Sequence, residues 1–215
     1  MNKIKKLSLV SLLLMTAFSL SGLFKIEING DTVKLVSFTL VIGIVVFFIT
    51  REPEDKDAMS LKAIPQLLKN TKTIVLVVMP MVMNILCLTL AKWLVPEFLE
   101  HLSDRTDFLA FDKFLILLAE LLIAALGEEI AWRGFYLKQL SKMSPFGVAV
   151  LITSVLFSLC HLSSGSTIVV LYDLLFIVIN AVFYGLVYKR TNNILISTLS
   201  HFLANLLGVL ALLVI

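Results

Sequence analysis

Charge is scarce in this chain: Asp, Glu, Lys and Arg make up only 15 % of its 215 residues, while 59 % are hydrophobic and the mean hydropathy is +1.00. No water-soluble core of this size requires such a balance, which excludes an ordinary soluble enzyme. An all-α, polytopic membrane helix bundle of about seven transmembrane helices is expected. Cysteine is nearly absent; Cys87 and Cys160 both fall in apolar runs and read as small buried hydrophobes, not as a disulfide or a metal pair. There is no lipobox cysteine, internal repeat, low-complexity tract or His-Glu-x-x-His helix, so the single-helix zinc-protease signature is excluded. A net charge of +3 gives nucleic-acid binding no support.

What is present is a series of apolar runs. Leu7 to Phe24 follows Lys3, Lys5 and Lys6; it suits a first span better than a signal peptide, although Ser19 and Ser21 offer a small-residue cleavage site. Val33 to Thr50 is the second span, ended by the charged, proline-containing linker Arg51 to Asp57. Leu61 to Leu68, with Pro65 inside, reads as an interfacial approach to the third span, Thr73 to Val95, where Trp93 is an interface anchor. After a polar connection from Pro96 to Lys113 come Phe114 to Leu140, Phe146 to Leu162, Thr167 to Tyr188 and Ile194 to Ile215. Residues 1–112 carry no recognisable motif, and 113–215 form the motif-bearing core. With the N-terminus cytoplasmic, only Lys25, Lys34, Lys92, Arg105 and Lys113 of the 18 Lys and Arg residues fall on the far side, as the positive-inside rule requires. A prokaryotic plasma membrane is the expected location.

Within the fourth run, Glu128, Glu129 and Arg133 interrupt an otherwise apolar helix, at a cost of roughly 2.5 to 3.5 kcal/mol for each charge near mid-membrane. Helical spacing puts Glu129 beside Arg133 and turns Glu128 about 140° away, free to face another helix or a water. The plainer alternative is that all three are solvated among headgroups at a helix end. Two further helices add to the set. Phe157 and His161 share one face, as do His201 and Asn205. A carboxylate, two imidazoles and an amide that converge in a dry cavity suit amide hydrolysis, and two chemistries fit. In one, Glu128, His161 and His201 hold a divalent metal, zinc by ligand type, whose bound water attacks. In the other, no metal is involved: Glu128 and His161 activate water, and His201 with Asn205 form an oxyanion hole.

In this order, Glu128-Glu129-x-x-x-Arg133, Phe157-x-x-x-His161 and His201-x-x-x-Asn205, led in by Lys189-Arg190-Thr191-Asn192-Asn193-Ile194-Leu195-x-Ser197, resemble the CPBP family of intramembrane proteases. That family includes CAAX prenyl-protein endopeptidases and bacteriocin-processing or self-immunity proteins. The resemblance covers roughly Phe114 to Leu207. It implies that Glu128, His161, His201 and Asn205 carry catalysis, that Glu129, Arg133 and Phe157 support them, and that the substrate is a membrane-associated peptide or protein cut near the cytoplasmic side of the bilayer. The competing expectation is a non-catalytic immunity or peptide-binding protein of the same fold. A proton-coupled transporter would also use buried Glu and His, but no paired broken half-helices recur. Asn180, Tyr184 and Gly185 are the nearest candidates for a further site wall, although interhelical hydrogen bonding is the favoured account of Asn180 and Tyr184. Glu120, Asp173 and Asn84 are left without a role.

Overall fold

A computed structural model describes residues 3–24, 27–28, 31–32, 35–106 and 113–212. The first residue of the expected second span, Lys25 and Lys34 of the charge assignment, the 112/113 boundary and the last three residues of the expected seventh span lie outside the described residues; for Arg105 only the backbone is described. The described chain is helical except for a two-residue antiparallel ladder, β1 (Glu27–Ile28) with β2 (Asp31–Thr32). Helices α1 (Lys3–Ser21), α2 (Ser37–Thr50), α3 (Ile64–Leu67), α4 (Thr71–Leu94) and α5 (Phe98–Thr106) precede α6 (Phe114–Glu129). The last continues without a break as a π-helix, Ile130–Leu137, into α7 (Lys138–Leu140); α8 (Phe146–Leu159), α9 (Thr167–Thr191) and α10 (Ile194–Leu212) follow.

Each apolar run read from the sequence is therefore a helix, yet the helices are not equal. Four are long and apolar enough to cross a membrane: α1, α4, α9 and α10. Helices α2 and α8, 14 residues each, are apolar but shorter. At about 1.5 Å of rise per residue, each spans only about 21 Å of a hydrocarbon core about 30 Å thick. The supposed polar connection contains α5, and α8 ends at Leu159, before the expected Leu162.

Local chemistry sets several boundaries. Asn70 starts α4 by accepting from the backbone N–H groups of Lys72 (3.0 Å) and Thr73 (3.4 Å). Asn192 ends α9 in the left-handed conformation (φ 47°), which asparagine tolerates, and donates its N–H to the Tyr188 carbonyl. Asn193 then starts α10, its Oδ1 accepting from Ile196 N at 3.1 Å. The same Asn193 side chain donates to the carbonyls of Asp57 and Ser60, so the charged linker is bound to the start of the helix that bears His201.

The core is built around the π-helix, whose eight residues are all buried. Gly43 of α2 lies so close to Ala131 that a Cβ at residue 43 would sit 2.5 Å from the Ala131 Cβ, the small-on-small contact that lets membrane helices approach. Outward-facing positions are apolar instead, with Leu115, Ile123 and Ile168 at least 70 % exposed, as a lipid-facing surface requires. Trp93, 84 % exposed near the end of α4, has the placement of an interface anchor.

Candidate active site

The two adjacent glutamates meet different surroundings at the point where α6 widens into the π-helix. Glu129 is fully buried. Its Oε1 pairs with Arg133 Nη1 and with His201 Nδ1, each at 2.9 Å, and its Oε2 accepts from the Ser197 hydroxyl. Arg133, 1 % exposed, donates through Nη2 to the Ala181 carbonyl at 3.0 Å, and its guanidinium lies over the rings of Phe157 and Tyr184. Solvation of this pair among headgroups is thereby excluded; what offsets the burial is an ion pair at i,i+4 spacing, supported by α9 and α10. π-Helical turns inside α-helices are frequent at functional sites, and here one begins directly after the glutamates.

Glu128 instead faces open space. Its carboxylate oxygens lie 3.8 Å from His161 Nε2 and 3.6 Å from His201 Nε2. Both imidazoles are anchored through the other nitrogen: His161 Nδ1 is 3.0 Å from the Phe157 carbonyl, and His201 Nδ1 is held by Glu129. Because a carbonyl and an ionised carboxylate only accept, each Nδ1 carries the hydrogen and each neutral ring turns an acceptor Nε2 toward Glu128. His161 lies beyond the end of α8, in a turn closed by its N–H to the Ser158 carbonyl. The short α8 thus presents its histidine at a helix end. Phe157 packs on it with ring centroids 4.6 Å apart.

Glu128, Phe157, His161, His201, Asn205 and Tyr184 line one cavity of about 490 Å³. Glu129 and Arg133 stand behind its wall. The structure therefore brings the three sequence motifs together, with the support pair one layer back. The cavity extends from Glu128 past Cys87 of α4, Glu120 of α6, Asp173 of α9 and Val209 of α10 to Leu102 and Thr106 of α5. Asn84 and Asn180, which also line it, are joined at 2.6 Å, and Asn84 donates to the Ala204 carbonyl, so this pair links α4, α9 and α10.

Two contributors escaped the sequence reading. Ser197 had appeared only as part of a lead-in, and its contact with Glu129 depends on how α10 packs against α6. His101 lies in the connection that hydropathy marks as polar; its Nε2 is 3.1 Å from Ser163 Oγ and 3.7 Å from Asp173, near the far end of the cavity. No spacing rule would have paired it.

Two imidazoles and a carboxylate are suitable donors for zinc, which needs ligand atoms at about 2.0 to 2.2 Å. Among the described residues, however, no three His, Cys, Asp or Glu side chains converge closely enough to hold an ion.

Residues 110–207 match the family model described as Rce1-like, type II CAAX prenyl endopeptidase Rce1-like. No curated protein and no solved structure matches the chain. The matched segment contains every residue of the Glu128 and Glu129 constellation, and its family is one of intramembrane CAAX-type endopeptidases acting on peptide or protein substrates. Residues 110–207 are therefore similar to an Rce1-like domain, consistent with a protease of the CPBP family, and the four long apolar helices suit an integral membrane protein.

Proposed function

We propose that this protein is an intramembrane endopeptidase in which Glu128 and His161 activate a water molecule for attack on a peptide bond, without a metal ion. The observation that carries the reading is the Glu128 carboxylate 3.6 and 3.8 Å from two anchored imidazole Nε2 atoms on a cavity wall. A water beside the three groups donates one hydrogen to the Glu128 carboxylate and the other to His161 Nε2. Glu128 takes a proton from that water, and the hydroxide adds to the scissile carbonyl carbon. Asn205 and His201 face the developing oxyanion, Asn205 donating through its amide N–H. As the C–N bond breaks, the proton passes to the leaving amine, leaving a new carboxyl and a new amino terminus.

Substrate access follows from the direction of the cavity. Its lining comes from the α5-side halves of α4, α6, α9 and α10. The positive-inside assignment puts α5 and Ser163 to Ser166 on the external face. On that orientation a membrane-embedded peptide or protein enters the cavity from the α5 end.

The deciding experiment is cleavage of a membrane-peptide library by purified protein in detergent, with and without a chelator. Glu128→Gln is expected to lower kcat by about 10²- to 10⁴-fold, the usual range for general acid–base catalysis, and the chelator to leave wild-type turnover unchanged. Full activity in the folded variant would remove Glu128 from the mechanism. Chelator-sensitive turnover would return the ion to it. Protection against a peptide toxin that survives loss of both Glu128 and His201 would favour an immunity protein.

A further inference from the structure

Within the cavity wall, the hydrogen-bond donors available to an oxyanion are few. Arg133 is sealed behind the wall, engaged by Glu129 and Ala181. His201 spends its Nδ1 hydrogen on Glu129 and, when neutral, turns a lone pair to the cavity at Nε2. Tyr184 is different. It lines the cavity, is 2 % exposed, and stacks on the His201 ring with centroids 4.4 Å apart and planes 18° apart. The Arg133 guanidinium also lies over this ring, 5.2 Å from its centre. The ring is held by these two contacts, yet its hydroxyl makes no hydrogen bond to any described residue. Nor is this oxygen sealed in, as is the hydroxyl of Tyr188 one turn further along α9, which is fully buried and unpartnered. A preorganised, unsatisfied O–H bordering open space in an otherwise dry wall is a donor awaiting an acceptor, because leaving it unpaired costs free energy that a substrate oxygen recovers.

We propose that Tyr184 is a further catalytic residue: its phenolic O–H donates to the oxygen of the scissile carbonyl as that oxygen becomes negative, beside Asn205. This assignment rests on the endopeptidase reading above. No proton leaves the phenol; the hydrogen bond shortens as charge develops and relaxes as the C–N bond breaks.

Tyr184→Phe tests it, since the ring, its stack on His201 and its contact with Arg133 are retained and only the hydroxyl is lost. On a peptide that the wild type cleaves, kcat is expected to fall by about 10²-fold, the usual cost of one oxyanion donor, with KM changed less than twofold and the unfolding midpoint unchanged. Unchanged kcat, or a fall matched by an equal rise in KM, would overturn the assignment. Glu128→Gln run in parallel separates the two readings: if it cleaves normally the endopeptidase mechanism fails, whereas if it is inactive while Tyr184→Phe cleaves normally only the Tyr184 role fails.

Discussion

At the scale of single residues, the neighbouring glutamates should respond in opposite ways to the same change. Glu129→Gln removes the charge that compensates Arg133 at full burial, and breaking one partner of such a pair costs about 3 to 5 kcal/mol. A marked drop in thermal midpoint is therefore expected, together with a loss of activity as the acceptor-only carboxylate that sets the His201 tautomer becomes an amide able to accept or donate. Glu128→Gln removes a carboxylate whose side chain is 18 % exposed in the cavity wall, and its midpoint should stay near that of the wild type while cleavage is lost. Equal destabilisation by both variants would contradict the division of labour. The Glu129–Arg133 pair was legible in the sequence because i,i+4 spacing is a property of one helix. The contacts that complete it, from Ser197 and Tyr184, belong to other helices, and no residue spacing encodes how α9 and α10 lie against α6.

At the scale of elements, hydropathy located the apolar helices because lipid-facing positions must be apolar whatever their partners. It missed α5, whose charged residues resemble a loop, and it ran α8 three residues too long because Cys160 and Leu162 continue the apolar run beyond the last helical turn. The π-helix was invisible for a related reason: its turns are widened by packing, and no residue type marks them. The linker, read as a break, is instead a bound strap. Glu52 meets Lys142 at 2.9 Å and Lys138 at 3.5 Å, while Asp55 also pairs with Lys138. The hydrogen bond from Lys142 is the main influence holding the Glu52 carboxyl below the usual glutamate range, against a smaller opposing effect of burial. A lowered folded-state value means that this contribution is present above the unfolded pKa and is lost as pH falls through the folded one. With 44 % of the Glu52 side chain exposed, it is worth at most about 1 kcal/mol and should weaken with salt. Thermal midpoints measured downward from pH 6 in low salt should therefore converge for wild type and Glu52→Gln; a constant gap would show that the Glu52 charge plays no part.

At the scale of the whole molecule, the decisive question is which membrane face the cavity meets. Basic residues cluster where the strap, the end of α7 and the turn between α9 and α10 come together: Lys138, Lys142 and Arg190 lie there, and α5 lies at the other end of the same helices. The positive-inside rule would put this basic end in the cytoplasm, and the short α8 leaves the space beyond His161 to the cavity. Helix α8 begins beside the basic face and stops after about 21 Å, so the space beyond His161 is walled by α5, α9 and α10 instead of being filled by its own next turn. Met143, 64 % exposed just before α8, and Ser164, exposed just after His161, therefore mark opposite faces. In a background with Cys87 and Cys160 replaced by alanine, Ser164→Cys should react with a membrane-impermeant maleimide on intact cells, whereas Met143→Cys should react only after permeabilisation. Labelling in the reverse order would turn the bundle over, place the cavity mouth in the cytoplasm and require substrates to arrive from there.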